Sequence, residues 1–226
     1  MQKTSIEWTD YTWNPCTGCL HGCSYCYARR IAHRFKGTPA FPNGFEPRFI
    51  PERLDEPHKI KGRGKKIFVC SMADLFGDWV PDVWIREVIM VARHCPQHTF
   101  QFLTKNPERL PEFNPWPKNC WVGATTAGPS SYSGAVRWFA DVDASVRFIS
   151  AEPLLAPLFG RMSCLSPAVN WVIISALTGP GGFLPSEWWV TDLTEDAKRQ
   201  GIPVFHKNNL GTLVQYKDFP AIDKGE

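Results

Sequence analysis

Residues 13–30 read WNPCTGCLHGCSYCYARR and hold four of the chain's eight cysteines. Three of them, Cys19, Cys23 and Cys26, stand in a C-x3-C-x2-C spacing, with an aromatic residue, Tyr25, immediately before the last. Thiolates set this closely on one short loop can converge on one metal centre, and soft sulfur ligands select iron–sulfur clusters, zinc or copper(I). The number of ligands separates these. Structural zinc takes four protein ligands, whereas a [4Fe–4S] cluster held by three cysteines keeps one iron open for a substrate or cofactor. Two alternatives stand beside this triplet. Cys16, Cys19 and Cys23 form a second one without the aromatic-cysteine ending, and all four of Cys16, Cys19, Cys23 and Cys26 together would describe a non-enzymatic zinc or iron–sulfur module.

Outward from the loop, residues 4–15 mix Trp, Thr, Tyr and Ile with polar residues and read as a first strand ending at Pro15. After the loop, residues 26–36 are helix-compatible, with Ile31 and Phe35 on one face. Residues 37–64 are broken by Pro39, Pro42, Pro47, Pro51 and Pro57 and read as an irregular insertion or lid. Short, nearly continuous apolar runs then recur at 67–70, 99–103, 120–124, 146–150, 171–175 and 202–205, the pattern of parallel strands buried on both faces. Between them, 82–95 and 186–200 have helical periodicity, the first with Asp82 as its cap and the second stopping at Gly201. Segments 106–119 and 155–170 are too rich in Pro and Gly for long helices. The expected fold is a single α/β domain over 1–226, an open or partial (β/α) barrel of about six or seven mostly parallel strands.

In such a series the carboxyl ends of the strands carry the chemistry. Those ends hold Ser71 and Asp74, Thr104 and Lys105, Thr125 and Thr126, Glu152, Ser175, then His206 and Lys207. Lys105 and Glu152 are lone charges directly against buried runs. They read either as active-site groups or as a structural ion pair. Lys105, Glu152 and Lys207 are the candidate catalytic residues. His21, inside the cysteine loop, reads as a solvent-facing side chain, with a metal ligand or a donor to cluster sulfur as the alternative, and Cys70, Cys95, Cys120 and Cys164 read as buried thiols. The ten tryptophans fit a well-filled core or a stacking surface.

The cysteine spacing with its aromatic resembles the signature of the radical S-adenosylmethionine (SAM) superfamily. IEWTDYTWNP, FVCSMADLF, TFQFLTKNPERL, RFISAEPLL and WVIIS resemble a phage-associated branch of it, loosely similar to spore photoproduct lyase. The resemblance implies a [4Fe–4S] cluster on Cys19, Cys23 and Cys26 whose open iron takes SAM and cleaves it reductively to a 5′-deoxyadenosyl radical. It also implies an external electron donor of the flavodoxin or ferredoxin kind. Tyr25 and Tyr27 would flank the adenine. Ser71 and Asp74 stand where the superfamily has a Gly-Gly-Glu-like segment meeting the amino group of SAM, and this chain departs from that segment. Thr125 and Glu152 would meet the ribose or the carboxylate. Related sequences carry a Gly-Gly-Glu-Ser-Gly run where this chain has Ser175-Ala-Leu-Thr-Gly179, so an acidic role there is lost.

Composition bounds the rest. A chain of 226 residues, 43% hydrophobic and 21% charged, has the make-up of a soluble globular protein. No run approaches the ~20 apolar residues of a membrane span, and the polar start MQKTSIEW lacks a signal core, so a cytoplasmic protein is expected. Clustered cysteines without such a signal favour metal binding over disulfides. The net charge of +3 is uneven: residues 1–66 carry 12 Lys and Arg against 6 Asp and Glu, and the remainder 13 against 16. The run 59–66, KIKGRGKK, reads as a solvated loop or a phosphate contact. With it, a nucleic-acid base becomes the preferred substrate; peptides and small metabolites remain open.

Overall fold

The structure is a computed structural model, and it describes residues 1–158, 165–179, 181–211 and 215–221. Cys164 and Pro180 lie outside the described residues. Among the described residues there are ten strands: β1 (Gln2–Lys3), β2 (Tyr11–Trp13), β3 (Cys16–Thr17), β4 (Arg48–Phe49), β5 (Lys66–Val69), β6 (Thr99–Thr104), β7 (Cys120–Thr125), β8 (Val146–Ala151), β9 (Trp171–Ile174) and β10 (Val204–His206). The helices are α1 (Tyr27–Arg34), α2 (Asp82–His94), α3 (Pro129–Phe139) and α4 (Glu187–Arg199). Eight of the strands form one mostly parallel sheet in the order β1-β2-β5-β6-β7-β8-β9-β10, which does not close into a barrel; β3 and β4 pair separately. The fold is therefore α/β with an open sheet.

The chain divides into two compact units, 1–122 with 143–145, and 123–142 with 146–226. In the first, β2 pairs parallel with β5 and β5 with β6 in a register that sets Trp13 beside Val69 and Val69 beside Phe102. Trp13 and Phe100 meet edge to face, and Phe76, Phe102, Phe113 and Trp116 form an aromatic cluster. Helix α2 lays Ile85, Val88, Ile89 and Ala92 on the core, the i, i+3, i+4, i+7 stripe its sequence announces. Asp82 opens this helix rather than capping it; the cap position is Pro81. In the second unit, β8 pairs with β9 and β9 with β10, all parallel, around Phe148, Trp171 and Phe205. Helix α4 buries Val190, Leu193, Thr194 and Ala197 and is followed by Gly201 at φ +70°.

Three differences from the sequence reading have physical causes. The expected strand over 4–15 is interrupted, because Thr9 turns back to Ile6 and the Asp10 carboxylate accepts the Lys66 N–H, so that Tyr11–Trp13 alone pairs with β5. Helix α3 has weak periodicity, yet Pro129 sits at its start and the Ser131 hydroxyl accepts from the Ala127 and Gly128 N–H groups. On α1 the buried residues are Ala28 and Ala32, while Ile31 and Phe35 are exposed. Residues 37–64 contain β4 and two short 3₁₀ turns, Pro51–Arg53 and Pro57–Lys59.

Candidate functional site

The cysteine loop leaves β3 through Gly18, whose φ of +90° and position against the Glu46 carbonyl admit no side chain: a Cβ there would lie 2.1 Å from that oxygen. Backbone bonds from Gly18 N–H to the Met72 carbonyl (2.9 Å) and from Cys19 N–H to the Phe45 carbonyl (3.2 Å) hold the loop on both sides. Cys26 ends the loop and caps α1, its Sγ accepting from the Arg29 N–H at 3.3 Å. Ala28, Ala32 and Phe45 pack beneath Cys19 and Cys26. Cys19, Cys23 and Cys26 are all half-buried. Burial pushes the Cys19 thiol up to about 11; the His21 N–H on its sulfur works against this, and Asp74, Cys26 and Cys23 add to it through charge. The Cys23 and Cys26 sulfurs thus lie within electrostatic reach of Cys19.

Cys16 differs. It is wholly buried, and desolvation first, then Asp74 and Cys19, push its thiol up to about 12. Cys70, also buried, lies close enough to feel Cys16 and sits at φ +59°, in the left-handed region that residues other than Gly rarely enter. Cys95 and Cys120 are buried as expected, Cys95 with its sulfur 3.3 Å from Nδ1 of His58. Among the described residues no three His, Cys, Asp or Glu side chains converge on a single-ion position. The donor set nonetheless fits a thiolate-bound cluster: three half-buried sulfurs on one loop, two of which accept backbone N–H groups, the kind of hydrogen bond that tunes cluster sulfurs.

The turn after β5 is built around Asp74. Its Oδ1 accepts from the Phe76 N–H (3.1 Å) and the Thr104 hydroxyl (2.7 Å). Its Oδ2 accepts from the Lys105 N–H (2.8 Å) and lies 2.8 Å from His21 Nε2. A carboxylate offers about four lone-pair sites. All four are engaged, and through them Asp74 positions His21, Thr104 and Lys105. His21, expected to face solvent, is instead held between Asp74 and the edge of the Trp79 ring. Ser71 is similarly committed: its hydroxyl donates to Asn14 Oδ1 at 3.2 Å and its carbonyl accepts from the Tyr27 hydroxyl at 2.7 Å. Asn14 also accepts from the Met72 N–H. The Lys105 ammonium lies 3.4 Å from the Tyr25 hydroxyl and 5.5 Å from that ring's centre.

In the second unit Thr125 ends β7 half-buried, and Glu152 and Lys207 follow β8 and β10. Glu152 and Lys207 form an ion pair, both side chains mostly buried. The Asn209 side chain brackets Ala176, and among the described residues the buried Ser150 hydroxyl has no hydrogen-bond partner. The run 59–66 leads into the amino end of β5, with the Gly64 N–H on Gln97 and Lys65 accepting from Thr99. That is the opposite end of β5 from Ser71 and Asp74, ~13 Å away for a strand of this length.

Residues 3–219 match the model of a family described as a protein of unknown function, DUF5131. No curated protein matches the sequence. Among solved structures, spore photoproduct lyase complexed with dinucleoside spore photoproduct matches over 86% of this chain and 63% of its own, with TM-score 0.50 and 9% identity. A single-site mutant of the lyase with the same dinucleoside matches over 91% and 57%, with TM-score 0.50 and 10% identity. The chain thus spans less than two thirds of the lyase, and the likeness is one of fold. Among the described residues no helix is long and apolar enough to cross a membrane.

Proposed function

This chain belongs to the DUF5131 family, and for it we propose a radical SAM enzyme that acts on a nucleic-acid base. The observation that carries the proposal is the separation of the cysteines: Cys19, Cys23 and Cys26 stand half-buried together on the loop, while Cys16 is withdrawn into the core. In this reading those three hold a [4Fe–4S] cluster, which when bound with SAM supplies a 5′-deoxyadenosyl radical able to abstract hydrogen.

The protein's own residues bind and orient. N–H groups of His21 and Arg29 stabilise the thiolate sulfurs of Cys19 and Cys26. Asp74 fixes the His21 ring and, through the Lys105 N–H, the end of β6. Tyr25 carries the Lys105 ammonium, and Tyr27, tied to the Ser71 carbonyl, locks α1 to the turn after β5. Tyr25 and Tyr27 are proposed to border the adenine, and Ser71 and Asp74 to stand on the side that meets the amino group of SAM. Thr125 and Glu152 are proposed to contact ribose or carboxylate, with Lys207 setting the Glu152 carboxylate. Support for a nucleic-acid substrate is the basic balance of residues 1–66 and a fold shared with a lyase solved with a dinucleoside. The run 59–66 would touch phosphates only of a ligand long enough to reach the amino end of β5.

The test is anaerobic reconstitution with iron and sulfide counting, the visible spectrum, and detection of 5′-deoxyadenosine from SAM under a strong reductant. A cluster lost in Cys16→Ala as fully as in Cys19→Ala, Cys23→Ala and Cys26→Ala would replace this reading with the four-cysteine module, and one that survives Cys23→Ala but not Cys16→Ala would overturn the ligand assignment.

A further inference from the structure

Two stretches hold all but Val83 and Met90 of the exposed large apolar side chains among the described residues: Leu20, Tyr27, Ile31 and Phe35 in the cysteine loop and α1, and Phe183, Leu184 and Trp188 at the entry to α4. Apolar side chains gathered on a surface and rimmed by charge mark an interaction site. The two stretches differ in shape and in charge.

On α1 the apolar groups form a ridge. Tyr27, Ile31 and Phe35, spaced four apart and so on one face, are 47%, 40% and 47% exposed, while the inward positions go to Ala28 and Ala32. Residues 11–45 contain Arg29, Arg30, Arg34 and Lys36 and not one Asp or Glu, and Arg30, Arg34 and Lys36 are exposed. At α4 the surface is hollow. Ser186, Glu187, Trp188, Thr191, Asp192 and Glu195 line an open groove of ≈ 800 Å³, with the Trp188 ring exposed in it. Residues 162–197 contain Glu187, Asp192, Glu195 and Asp196 and not one Lys, Arg or His.

We infer that the chain associates with itself, the α1 ridge of one copy lying in the α4 groove of the next. A helix with large apolar residues every four positions is what a groove on a partner takes up, and here the charges beside ridge and groove are opposite in sign. The same charges select the occupant. A polyanion or an acidic protein would meet α1 and leave the groove unmet, and a basic partner would do the reverse; a second copy meets both faces at once. Because ridge and groove are different surfaces the contact is heterologous, so copies add head to tail. Helix α1 begins on Cys26, so each contact forms beside a cysteine loop.

The experiment follows the mass of the full chain by sedimentation against concentration, at roughly 50 and 400 mM salt, between which screening of exposed charges becomes strong. The wild type is expected to grow with concentration at low salt and to fall back toward the 25.6 kDa of one copy at high salt. Arg30→Glu with Arg34→Glu, and separately Glu187→Lys with Glu195→Lys, are each expected to raise the association Kd about tenfold or more at low salt. An equal mixture of these two variants is expected to regain association, because the unaltered groove of one meets the unaltered ridge of the other; variants that had merely lost their fold would not do so. Leu184→Ser with Trp188→Ser is expected to raise Kd about tenfold and keep the salt dependence. Lys59→Glu with Lys61→Glu, on neither face, is expected to leave Kd unchanged. A wild-type chain that stays single up to about 1 mM at low salt overturns the inference. So does a mixture that fails to regain association, or a 59/61 pair that weakens it as much as the α1 pair does.

Discussion

Asp74→Ala removes the acceptor for three buried donors: the Thr104 hydroxyl, the Phe76 N–H and the Lys105 N–H. His21 also loses its partner but is partly exposed and can turn to water. A buried donor left unsatisfied costs about 1–3 kcal/mol, and donors sharing one site do not add fully, so about 3–6 kcal/mol is expected. That is a large share of the roughly 5–15 kcal/mol that holds a protein folded. At roughly 2–4 °C per kcal/mol for a chain of this size, the melt should fall by about 10–20 °C. Asp74→Asn keeps Oδ1 for Phe76 and Thr104 but turns an NH₂ toward the Lys105 N–H, so about 2 kcal/mol is expected, with a melt lower by roughly 4–8 °C. The assay is thermal unfolding by circular dichroism on cluster-free protein, where no ligand contributes, followed by SAM affinity on reconstituted protein. A melt within about 3 °C of the parent for Asp74→Ala, together with lost SAM affinity, would refute the hub: the carboxylate would then be a ligand-binding group and not a scaffold.

Cys19→Ala, Cys23→Ala and Cys26→Ala should each abolish stoichiometric iron, while Cys16→Ala keeps it and lowers stability by about 1 kcal/mol as a small buried side chain is trimmed; iron counting beside a melt decides. Burial raises the thiols of Cys16, Cys70 and Cys120, so their protonated forms stabilise the fold fully below about pH 9, and that contribution is lost as pH rises toward 12 and beyond. Alkaline denaturation should therefore steepen above pH 9 by about 1.4 kcal/mol per pH unit per thiol, and Cys120→Ala should flatten the curve by one thiol's share. Glu152→Gln or Lys207→Met breaks a mostly buried pair and should cost about 1–3 kcal/mol, less than a fully buried pair because both ends keep some solvent. Lys105→Met loses a cation–π contact and a long hydrogen bond to the Tyr25 hydroxyl, together about 1–2 kcal/mol, so a lost SAM-cleavage rate with a melt lowered by no more than that would mark Lys105 as an active-site group.

The strands were legible because each is buried on both faces and so leaves a continuous apolar run: β6, β7, β8 and β9 lie within one residue of where TFQFL, CWVGA, VRFIS and WVIIS place them. Their polar ends followed from the same runs stopping. What joins those ends was not legible, because it depends on contacts far apart in sequence. Asp74 reaches His21, 53 residues away, after Cys70 turns the chain in the left-handed region, and Asn14 reads locally as a turn residue before Pro15 although it secures Ser71 and Met72. The pairing of Glu152 with Lys207 likewise spans 55 residues. Helix α1 failed in a more instructive way. Its sequence marks a face bearing Ile31 and Phe35, and periodicity assigns such a face to the core unless something else fills that place. The inner place is taken by Ala28 and Ala32, whose small side chains let the helix lie close over Cys19 and Cys26. Larger inward residues would lift the helix off the loop it caps. Close cover of the thiols thus displaces the large apolar residues to the outside.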